Sequence, residues 1–358
     1  MDKVIDIGGK KIGKGKPVFI IAEAGVNHNG KLRIAKQLVH AAKWAGADAI
    51  KFQTFKAEDL VSENVDMANY QKKNTGISGK QIEMLKKLEL NNHDFIDLKK
   101  YCDRKGILFL STPHTRDAID FLEPLIPLYK IGSGDLTNIP FLLKIAKIGK
   151  PMIISTGMAT IEEIRESLDQ INKYNKNTIL LHCTTSYPCP ITEVNLRAMQ
   201  TLEKEFGCLV GYSDHTLGIN VMVTAARFGA VIIEKHLTLD KDMEGPDHKA
   251  SIDPIELKEA IHKIRDPTHN VIYSGEVLGS AEKRPTKSEL AISPFIRKSI
   301  LSSRNINKGE KFSNKNLIIK RPGTGLQPKY YNELLKKIAK VNIKEGTPII
   351  TSMVGGKQ

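Results

Sequence analysis

Short apolar runs rich in β-branched residues recur eight times along the chain, and segments with helical periodicity separate them. The runs lie at residues 18–21, 48–52, 107–110, 128–131, 152–154, 178–181, 208–211 and 230–233. Between them apolar residues return at helical spacing, as at Leu32, Ala35 and Val39, which is typical of an amphipathic helix. Eight strand–helix units predict an α/β fold that closes as a (β/α)8 TIM barrel. A doubly wound open sheet is the alternative, but no GxGxxG sequence follows the first run.

Two stretches interrupt this regular spacing. Residues 61–79, between the second and third runs, are polar and rich in Asn, Lys and Gly, so we expect a mobile loop over the barrel mouth. Residues 266–294 are rich in Pro, Ser, Thr and Gly, which is the composition of a linker. We therefore divide the 358 residues into a barrel domain at 1–265, a linker at 266–296 and a C-terminal module at 297–358. That module is small enough to need a partner surface to pack against.

The basic charge of the chain is concentrated in the C-terminal module. The formal net charge is +14, and residues 297–358 hold fourteen basic and three acidic residues, or +11. A solvated surface, nucleic-acid binding and attraction of an anionic small substrate are all compatible with such a charge. The Lys and Arg residues alternate with Ile and Leu rather than with aromatic residues. Nucleic acid is therefore the weakest of the three readings, and we expect no nucleic-acid partner.

The sequence predicts neither a membrane-bound nor a secreted chain. The first residues lack an apolar signal segment, and no run approaches the roughly 18 to 20 apolar residues that a membrane-spanning helix needs. The four cysteines, Cys102, Cys183, Cys189 and Cys208, form no CxxC pair, as is usual where thiols stay reduced. We expect a cytoplasmic chain without a structural zinc site.

Polar side chains follow every one of the eight runs. Active sites of this barrel fold form at the C-terminal ends of the strands. Those positions hold Glu23, Lys51, Gln53, Thr112, Lys130, Ser133, Asp135, Ser155, Thr184, Thr185, Tyr187, Ser213, His215, Glu234 and His236. Any single one of them could be a helix cap or a turn residue. The ordered set predicts an active site at the mouth of the barrel.

Lys51 and Lys130 indicate an anion-binding site. Both lie on predicted barrel strands near a partly desolvated mouth, where an unpaired ammonium group is costly. Nearby hydroxyl groups, such as those of Thr112 and Ser133, could add neutral donors. These residues predict a cradle for a phosphate or a carboxylate. A Schiff-base lysine, as in a class I type of aldolase, is the alternative enzyme, and a binding module on a barrel scaffold is the non-enzyme alternative.

His215 and His236 end the last two predicted strands, so their imidazoles can face one metal ion from neighbouring positions. Each has a carboxylate beside it in the sequence, Asp214 or Glu234, that is available to orient the ring. Nearby oxygen donors and the lack of paired thiolates favour a divalent ion such as Mn²⁺ or Mg²⁺. Because the thiol of Cys183 could also serve as a ligand, zinc or iron remains an alternative metal.

Eleven short segments, in order along nearly the whole chain, carry a family resemblance. They are IAEAGVNHNG (21–30), KFQT (51–54), STP (111–113), YKIGSG (129–134), STGM (155–158), LHCT (181–184), YP (187–188), GYSDHT (211–216), EKH (234–236), GPDH (245–248) and KRPG (320–323). Together they resemble the sialic acid synthases, which condense phosphoenolpyruvate with an N-acetylated amino sugar.

The resemblance implies a barrel followed by an antifreeze-like (SAF) domain, and a homodimer in which each SAF domain covers the partner's active site. It implies that phosphoenolpyruvate is held by Lys51, Thr112, Lys130, Ser133, Ser155, Thr185 and Ser213. It likewise implies sugar binding by Gln53, Tyr187, Asp247 and Arg321, metal binding by His215 and His236, and catalysis by Glu23, Asp135, Lys51 and Lys130. Arg321 is expected to reach the sugar's N-acetyl group from the neighbouring subunit.

Three positions depart from the family pattern. Asp135 stands where Glu is common, which shortens the carboxylate side chain by one methylene. His114 stands where Phe is common, and Thr185 where some members have Asn.

The reaction implied by the resemblance is the metal-dependent condensation of phosphoenolpyruvate with N-acetylmannosamine and water. It cleaves the C–O bond of phosphoenolpyruvate and gives N-acetylneuraminate and phosphate. The alternative is an N,N'-diacetyllegionaminate synthase that acts on a 2,4-diacetamido-6-deoxymannose.

Overall fold

Eight parallel strands form a nearly closed barrel in the computed structural model of the chain, which describes residues 3–271 and 274–356. The strands are β1 Phe19–Gly25, β2 Ala49–Thr54, β3 Leu108–Pro113, β4 Tyr129–Ile131, β5 Met152–Ser155, β6 Thr178–His182, β7 Leu209–Asp214 and β8 Ile232–His236. They pair in the order β3-β2-β1-β8-β7-β6-β5-β4, and β4 lies beside β3. The predicted (β/α)8 barrel is confirmed, and each strand overlaps its predicted run.

The side chains that point into the barrel form two layers. The lower layer is apolar and belongs to one buried cluster, which includes Ile21, Ala49, Leu110, Leu128, Ile153, Leu181 and Ile232. Because side chains alternate between the two faces of a strand, the residue two positions later points inward again. These residues are Glu23, Lys51, Thr112, Lys130, Ser155, Cys183 and Glu234. The polar layer of the mouth therefore rests on a packed apolar floor.

An antiparallel hairpin, Val4–Ile7 with Lys10–Gly13, covers the opposite end of the barrel. Its Ile5, Ile7 and Ile12 are buried in the same apolar cluster as the floor of the barrel. The N-terminal end of the barrel is therefore closed, and ligands reach the interior from the C-terminal strand ends.

Eight helices surround the barrel, one after each strand. They are α1 Leu32–Ala45, α2 Asn92–Lys105, α3 Arg116–Leu122, α4 Ile139–Ile148, α5 Ile161–Ile171, α6 Arg197–Phe206, α7 Asn220–Arg227 and α8 Pro254–Arg265. Several begin at capping boxes, as α5 does at Thr160 with Glu163. Their apolar faces pack on the outward side chains of the strands and form the largest core cluster. No helix in the described ranges is long and apolar enough to cross a bilayer.

The long connection between β2 and α2 is more ordered than the sequence predicts. It contains three short helices, Ala57–Leu60, Asn69–Thr75 and Gln81–Lys86. Asn69–Thr75 lies within residues 61–79, so the prediction of a loop there is wrong for that helix. Apolar residues of this segment, including Leu60, Val65, Ile82 and Leu85, form a core cluster of their own beside the mouth, which explains why helices form in a polar stretch.

The segment expected to be a linker contains two helices, Gly275–Leu278 and α9 Lys287–Ile296. The C-terminal module follows, with two antiparallel strand pairs, Ser299–Ser302 with Leu317–Lys320 and Ile338–Ala339 with Val354–Gly355. It also contains the short helix Tyr331–Leu334 and the 3₁₀ turns Pro328–Tyr330 and Thr351–Met353. The module has its own small core around Ile300, Phe312 and Leu317, and it packs over the mouth of the barrel.

Candidate active site

One cavity at the C-terminal ends of the strands is lined by Glu234 but not by Thr184, two residues of the strand-end pattern. The same cavity gathers every residue to which the resemblance assigns a role. They are Glu23, Lys51, Gln53, Thr112, Lys130, Ser133, Asp135, Ser155, Thr185, Tyr187, Ser213, His215, His236, Asp247 and Arg321. Residues that lie up to about 300 positions apart in the sequence thus meet in one place.

Two lysines and two glutamates form a buried ionic network on the floor of this cavity. Lys51 Nζ lies 2.6 Å from Glu23 Oε2 and 3.7 Å from Glu234 Oε2, and Lys130 Nζ lies 3.3 Å from Glu234 Oε1. Burial disfavours the charge of Lys51, but the two carboxylates outweigh it and raise its pKa. Burial dominates at Lys130 and lowers its pKa, partly offset by Glu234. The network places positive charge beneath the mouth.

The pKa values of Glu23 and Glu234 shift in opposite directions, although both side chains are buried beside lysines. Burial raises the pKa of Glu23, although Lys51 opposes it. Burial also acts to raise the pKa of Glu234, but Lys130 and Lys51 outweigh it and bring the pKa to about 2. Glu234 therefore remains a carboxylate that holds the lysines, while Glu23 is the more readily protonated carboxyl group.

Hydroxyl groups surround the lysines. Lys51 Nζ donates to Thr112 Oγ1 at 3.1 Å, and Lys130 Nζ donates to Ser155 Oγ at 2.8 Å. The hydroxyls of Ser133 and Thr185 lie 3.0 Å apart. A Cβ on Gly157 would come within 2.4 Å of Ser133 Cβ, so only glycine allows these loops to approach so closely. Two ammonium groups with convergent hydroxyls can hold an anion that carries both a phosphate and a carboxylate.

The two histidines face each other above this network, with ring centroids 5.7 Å apart. His215 Nδ1 donates to the carbonyl oxygen of Thr184 at 2.7 Å, which places the lone pair of the ring on Nε2, 3.5 Å from the Ser213 hydroxyl. His236 Nδ1 is buried without a hydrogen-bond partner in the described part of the chain. Burial lowers the pKa of His215 to about 4 and that of His236 well below its usual value. Both imidazoles are therefore neutral at pH 7.

Two neutral imidazoles with available nitrogens fit a divalent metal ion. Asp247 Oδ2 lies 3.9 Å from His236 Nδ1 and supplies an oxygen nearby. Within residues 3–271 and 274–356, no three His, Cys, Asp or Glu side chains are grouped to hold an ion. A metal here would need further ligands from water or substrate.

The carboxylates next to the histidines in sequence do not orient the rings. Asp214 points to the outside of the barrel and pairs with Lys235 at 2.8 Å. Glu234 accepts a hydrogen bond from Ser213 Oγ at 2.9 Å and pairs with the lysines. The expected orienting role is thus wrong for both residues. Asp214 faces the opposite side of the strand from His215, and Glu234 faces inward but is engaged by the lysines and Ser213. A backbone carbonyl orients His215 instead.

Aromatic and polar residues line the upper part of the cavity. The Tyr187 ring lies 4.3 Å from His215 and 5.2 Å from Tyr70, measured between ring centroids. Gln53 Nε2 donates to Glu23 Oε1 at 3.0 Å. Burial, with a contribution from the charge of Glu23, raises the pKa of Asp247 to about 7.

Arg321 enters the cavity from the C-terminal module of its own chain. Its backbone N–H donates to Leu60 O, and its guanidinium donates to Gln81 Oε1 at 2.9 Å. In the structure Arg321 lies at the mouth of its own chain's barrel. The resemblance implies that this arginine comes from a neighbouring subunit, and that stays a prediction. The homodimer itself stays a prediction.

Asp135 lies at the edge of the cavity and is held by other residues. Lys298 Nζ lies 2.8 Å from Asp135 Oδ1, and Asn138 Nδ2 donates to the same oxygen at 3.0 Å. Burial acts to raise the pKa of Asp135, but Lys298 and then His114 outweigh it and lower that pKa strongly. This carboxylate is firmly ionised and engaged, unlike Glu23.

The sequence did not nominate an apolar wall on the Arg321 side of the cavity. The wall consists of Val26, Phe55, Leu60, Met84, Leu85 and Leu88. Five of these six residues lie in the connection between β2 and α2 but outside residues 61–79, and the rule that looks for polar residues at strand ends does not identify them. Tyr70 was missed for the same reason, whereas the central place of Glu234 could have been read from its spacing of two from His236.

A nearly closed parallel barrel, an anion cradle beside two neutral histidines, and a small module over the mouth define a two-module barrel enzyme. The chain matches the NeuB family over residues 38–273 and the SAF domain over residues 297–355. It belongs to the NeuB family, as the resemblance predicts.

Several similar proteins are named as synthases of sialic acids and related sugars. The chain is 47% identical to N,N'-diacetyllegionaminic acid synthase of Legionella pneumophila, over 96% of each chain. It is 34% identical to human N-acetylneuraminate-9-phosphate synthase, over 97% of this chain and 95% of that one. The crystal structure of the spore coat polysaccharide biosynthesis protein SpsE from Bacillus subtilis matches with a TM-score of 0.86 at 33% identity, covering 99% of this chain and 100% of that one.

Proposed function

We propose that this chain condenses phosphoenolpyruvate with a 2,4-diacetamido-6-deoxymannose and water, giving N,N'-diacetyllegionaminate and phosphate. The observation that carries the proposal is the cradle of two buried lysines and convergent hydroxyls beneath the paired histidines. The resemblance alone places N-acetylmannosamine first. The relative named for legionaminic acid is 47% identical and the one named for N-acetylneuraminate 9-phosphate is 34% identical, and this order favours the diacetamido sugar.

The cradle accounts for substrate activation. Lys51 and Lys130, with Thr112, Ser133, Ser155, Thr185 and Ser213, would hold the phosphate and carboxylate of phosphoenolpyruvate. In this position C3 of phosphoenolpyruvate forms a bond to the aldehyde carbon of the open-chain sugar, and the oxygen of a water molecule adds to C2. The aldehyde oxygen takes up a proton and becomes a hydroxyl. The C2–O bond to phosphate then breaks, phosphate leaves with the bonding electrons, and the oxygen added from water loses its protons and becomes the C2 ketone. Positioning and fixed positive charge provide most of the catalysis.

His215 and His236 would hold a divalent ion such as Mn²⁺ or Mg²⁺ above the cradle. When bound, that ion would act as a Lewis acid on the aldehyde oxygen of the sugar. Asp247, Gln53 and Tyr187 surround the same region and would orient the sugar's hydroxyl groups.

Glu23 is the carboxyl group that we assign to proton transfer at the water. Its pKa is raised, mainly by burial, and it contacts both Lys51 and Gln53. A carboxyl group with a raised pKa exchanges protons near neutral pH more readily than a strongly ionised one. We assign Asp135, which Lys298 holds, to a different role below.

The apolar wall supports the choice of sugar. A methyl group at C6 of the sugar would pack on residues such as Leu60, Met84 and Leu88, whereas a hydroxyl there would lose its partners. An apolar pocket rejects an added hydroxyl by only about a hundredfold. It rejects a phosphate far more strongly, because burying an unpaired charge is much more costly.

The Schiff-base aldolase finds less support. That reaction needs an uncharged lysine amine, and the carboxylates beside Lys51 favour its charged form. Lys130 has a lowered pKa but bonds to Ser155 and pairs with Glu234.

The test is phosphate release from phosphoenolpyruvate with three sugars, in the presence of Mn²⁺. The sugars are 2,4-diacetamido-6-deoxymannose, N-acetylmannosamine and N-acetylmannosamine 6-phosphate, with a reaction lacking sugar as the control. We expect kcat/KM to be about 10- to 100-fold higher for the first than for the second, and no turnover of the third. A higher kcat/KM for N-acetylmannosamine would overturn the choice of sugar. Phosphate release without any sugar, or with none of the three, would overturn the reaction.

A further inference from the structure

Consecutive residues at the junction of α9 and the SAF domain touch three successive strand-end loops of the barrel. The carbonyl oxygen of Ile296 packs on Gly134, where a Cβ would come within 2.9 Å of it. Arg297 binds the loop and helix that follow β5, and Lys298 binds the segments that follow β3 and β4.

Lys298 joins two of these loops. Its Nζ lies 2.8 Å from Asp135 Oδ1 and donates to the carbonyl oxygen of His114 at 2.6 Å. The side chains of Lys298 and Asp135 are each 4% exposed, so solvent screens this ion pair little. His114 Nδ1 lies 3.7 Å from the other oxygen of Asp135. His114 and Asp135, two of the three positions that depart from the family pattern, thus both contact Lys298.

Arg297 binds the third loop, which follows β5, through a bidentate ion pair. Its NH1 donates to Glu163 Oε1 at 2.5 Å, and its NH2 donates to Glu163 Oε2 at 2.7 Å and to Met158 O at 2.8 Å. Glu163 also caps the start of α5. A bidentate pair of this kind restricts geometry as well as adding binding energy.

The three loops carry hydroxyls of the cradle. Thr112 is the second-last residue of β3, Ser133 lies two residues before Asp135, and Ser155 ends β5 three residues before Met158. Arg297 and Lys298 do not line the cavity themselves. They act indirectly, because they bind the backbone and the carboxylates of the loops and so determine the positions of the hydroxyl groups.

We propose that Arg297 and Lys298 are positioning residues, which fix the spacing of the phosphoenolpyruvate cradle by clamping its three loops to the SAF domain. The inference rests on the proposed function only in taking phosphoenolpyruvate as the ligand of the cradle. Asp135 is the barrel's anchor for this clamp, so its role is to hold Lys298 rather than to transfer a proton.

Lys329 offers a matched control. It also joins the SAF domain to the barrel, through Glu166 on α5 at 2.9 Å. That pair is partly exposed and touches no strand-end loop. Lys329→Met therefore removes an interdomain ion pair without disturbing the cradle.

The experiment measures phosphoenolpyruvate binding by calorimetry, without sugar and with Mn²⁺, together with KM for the sugar. Lys298→Met and Arg297→Met should each weaken phosphoenolpyruvate binding about tenfold to a hundredfold, with less than about a twofold change in KM for the sugar. Lys298→Arg should restore most of the affinity, and Lys329→Met should match the wild type. If Lys298→Met fails to fold, Asp135→Asn weakens the same contact less severely, because the amide oxygen still accepts a hydrogen bond from Lys298.

The outcomes distinguish a failure of the proposed function from a failure of the clamp. A wild-type chain that does not bind phosphoenolpyruvate overturns the proposed function. A wild-type chain that binds it, with folded Lys298→Met or Asp135→Asn variants of unchanged affinity, overturns the clamp. An equal loss in Lys329→Met, or an equal change in KM for the sugar, would show general interdomain destabilisation and would also overturn it.

Discussion

Lys130 and Lys235 are both buried barrel lysines, and they should respond in opposite ways to replacement by methionine. Lys130 points into the cavity, whereas Lys235 points to the outside of β8, where it pairs with Asp214 at 2.8 Å and both side chains are fully buried. Methionine keeps the length of the side chain but removes the charge. The pair of variants therefore tests which face of the barrel is functional.

The Lys130→Met variant should lose affinity and keep stability. Its ammonium would donate charge-assisted hydrogen bonds to phosphoenolpyruvate, each worth about 1.5–3 kcal/mol, so losing one corresponds to about 10- to 150-fold weaker binding. Glu234 keeps Lys51 at 3.7 Å and the Ser213 hydroxyl at 2.9 Å, so it is not left unpaired. We expect the free energy of unfolding to change by no more than about 1–2 kcal/mol.

The Lys235→Met variant should lose stability and keep its affinity for phosphoenolpyruvate. It leaves Asp214 as a buried carboxylate without its cation, which costs about 3–5 kcal/mol, a large part of the 5–15 kcal/mol that stabilises most domains. Urea unfolding gives the stability of each variant, and calorimetry with phosphoenolpyruvate gives the affinity. Wild-type affinity for phosphoenolpyruvate in Lys130→Met, or weaker binding without lower stability in Lys235→Met, would show that the functional face of the barrel is not the one that Lys130 occupies.

Two further predictions follow from the cavity. Removal of metal by a chelator should abolish turnover, and added Mn²⁺ or Mg²⁺ should restore it, whereas His215→Ala should stay inactive with either ion and keep the wild-type melting temperature; metal-dependent activity in His215→Ala would contradict the assignment. The Cys183 thiol lines the cavity, and burial, with a contribution from the charge of Glu289, raises its pKa to about 11. Since only the thiolate reacts, iodoacetamide at pH 8 should modify Cys183 about a hundredfold more slowly than an ordinary exposed cysteine, as mass spectrometry can measure; rapid labelling of Cys183 would show that the cavity is open to solvent.

The eight-stranded barrel and the composition of its mouth could be predicted because both depend on local alternation. A strand places every second residue on the same face, so Ile21 and Glu23, or Ile153 and Ser155, follow one another inward without reference to any distant residue. For the same reason His215 and His236 could be placed side by side once neighbouring strands were recognised. These inferences needed only periodicity and the rule that barrel sites form at C-terminal strand ends.

Contacts between distant segments were decided by the tertiary structure alone. Nothing local in residues 61–79 shows that Tyr70 stacks on Tyr187, and no motif pairs Lys298 with Asp135 across 163 positions. Likewise, the spacing of Asp214 and Glu234 from their histidines indicates which of them faces inward, but not that Asp214 pairs with Lys235 or Glu234 with Lys130. Periodicity specifies which face a side chain occupies, but the partner it finds there depends on how the whole chain packs.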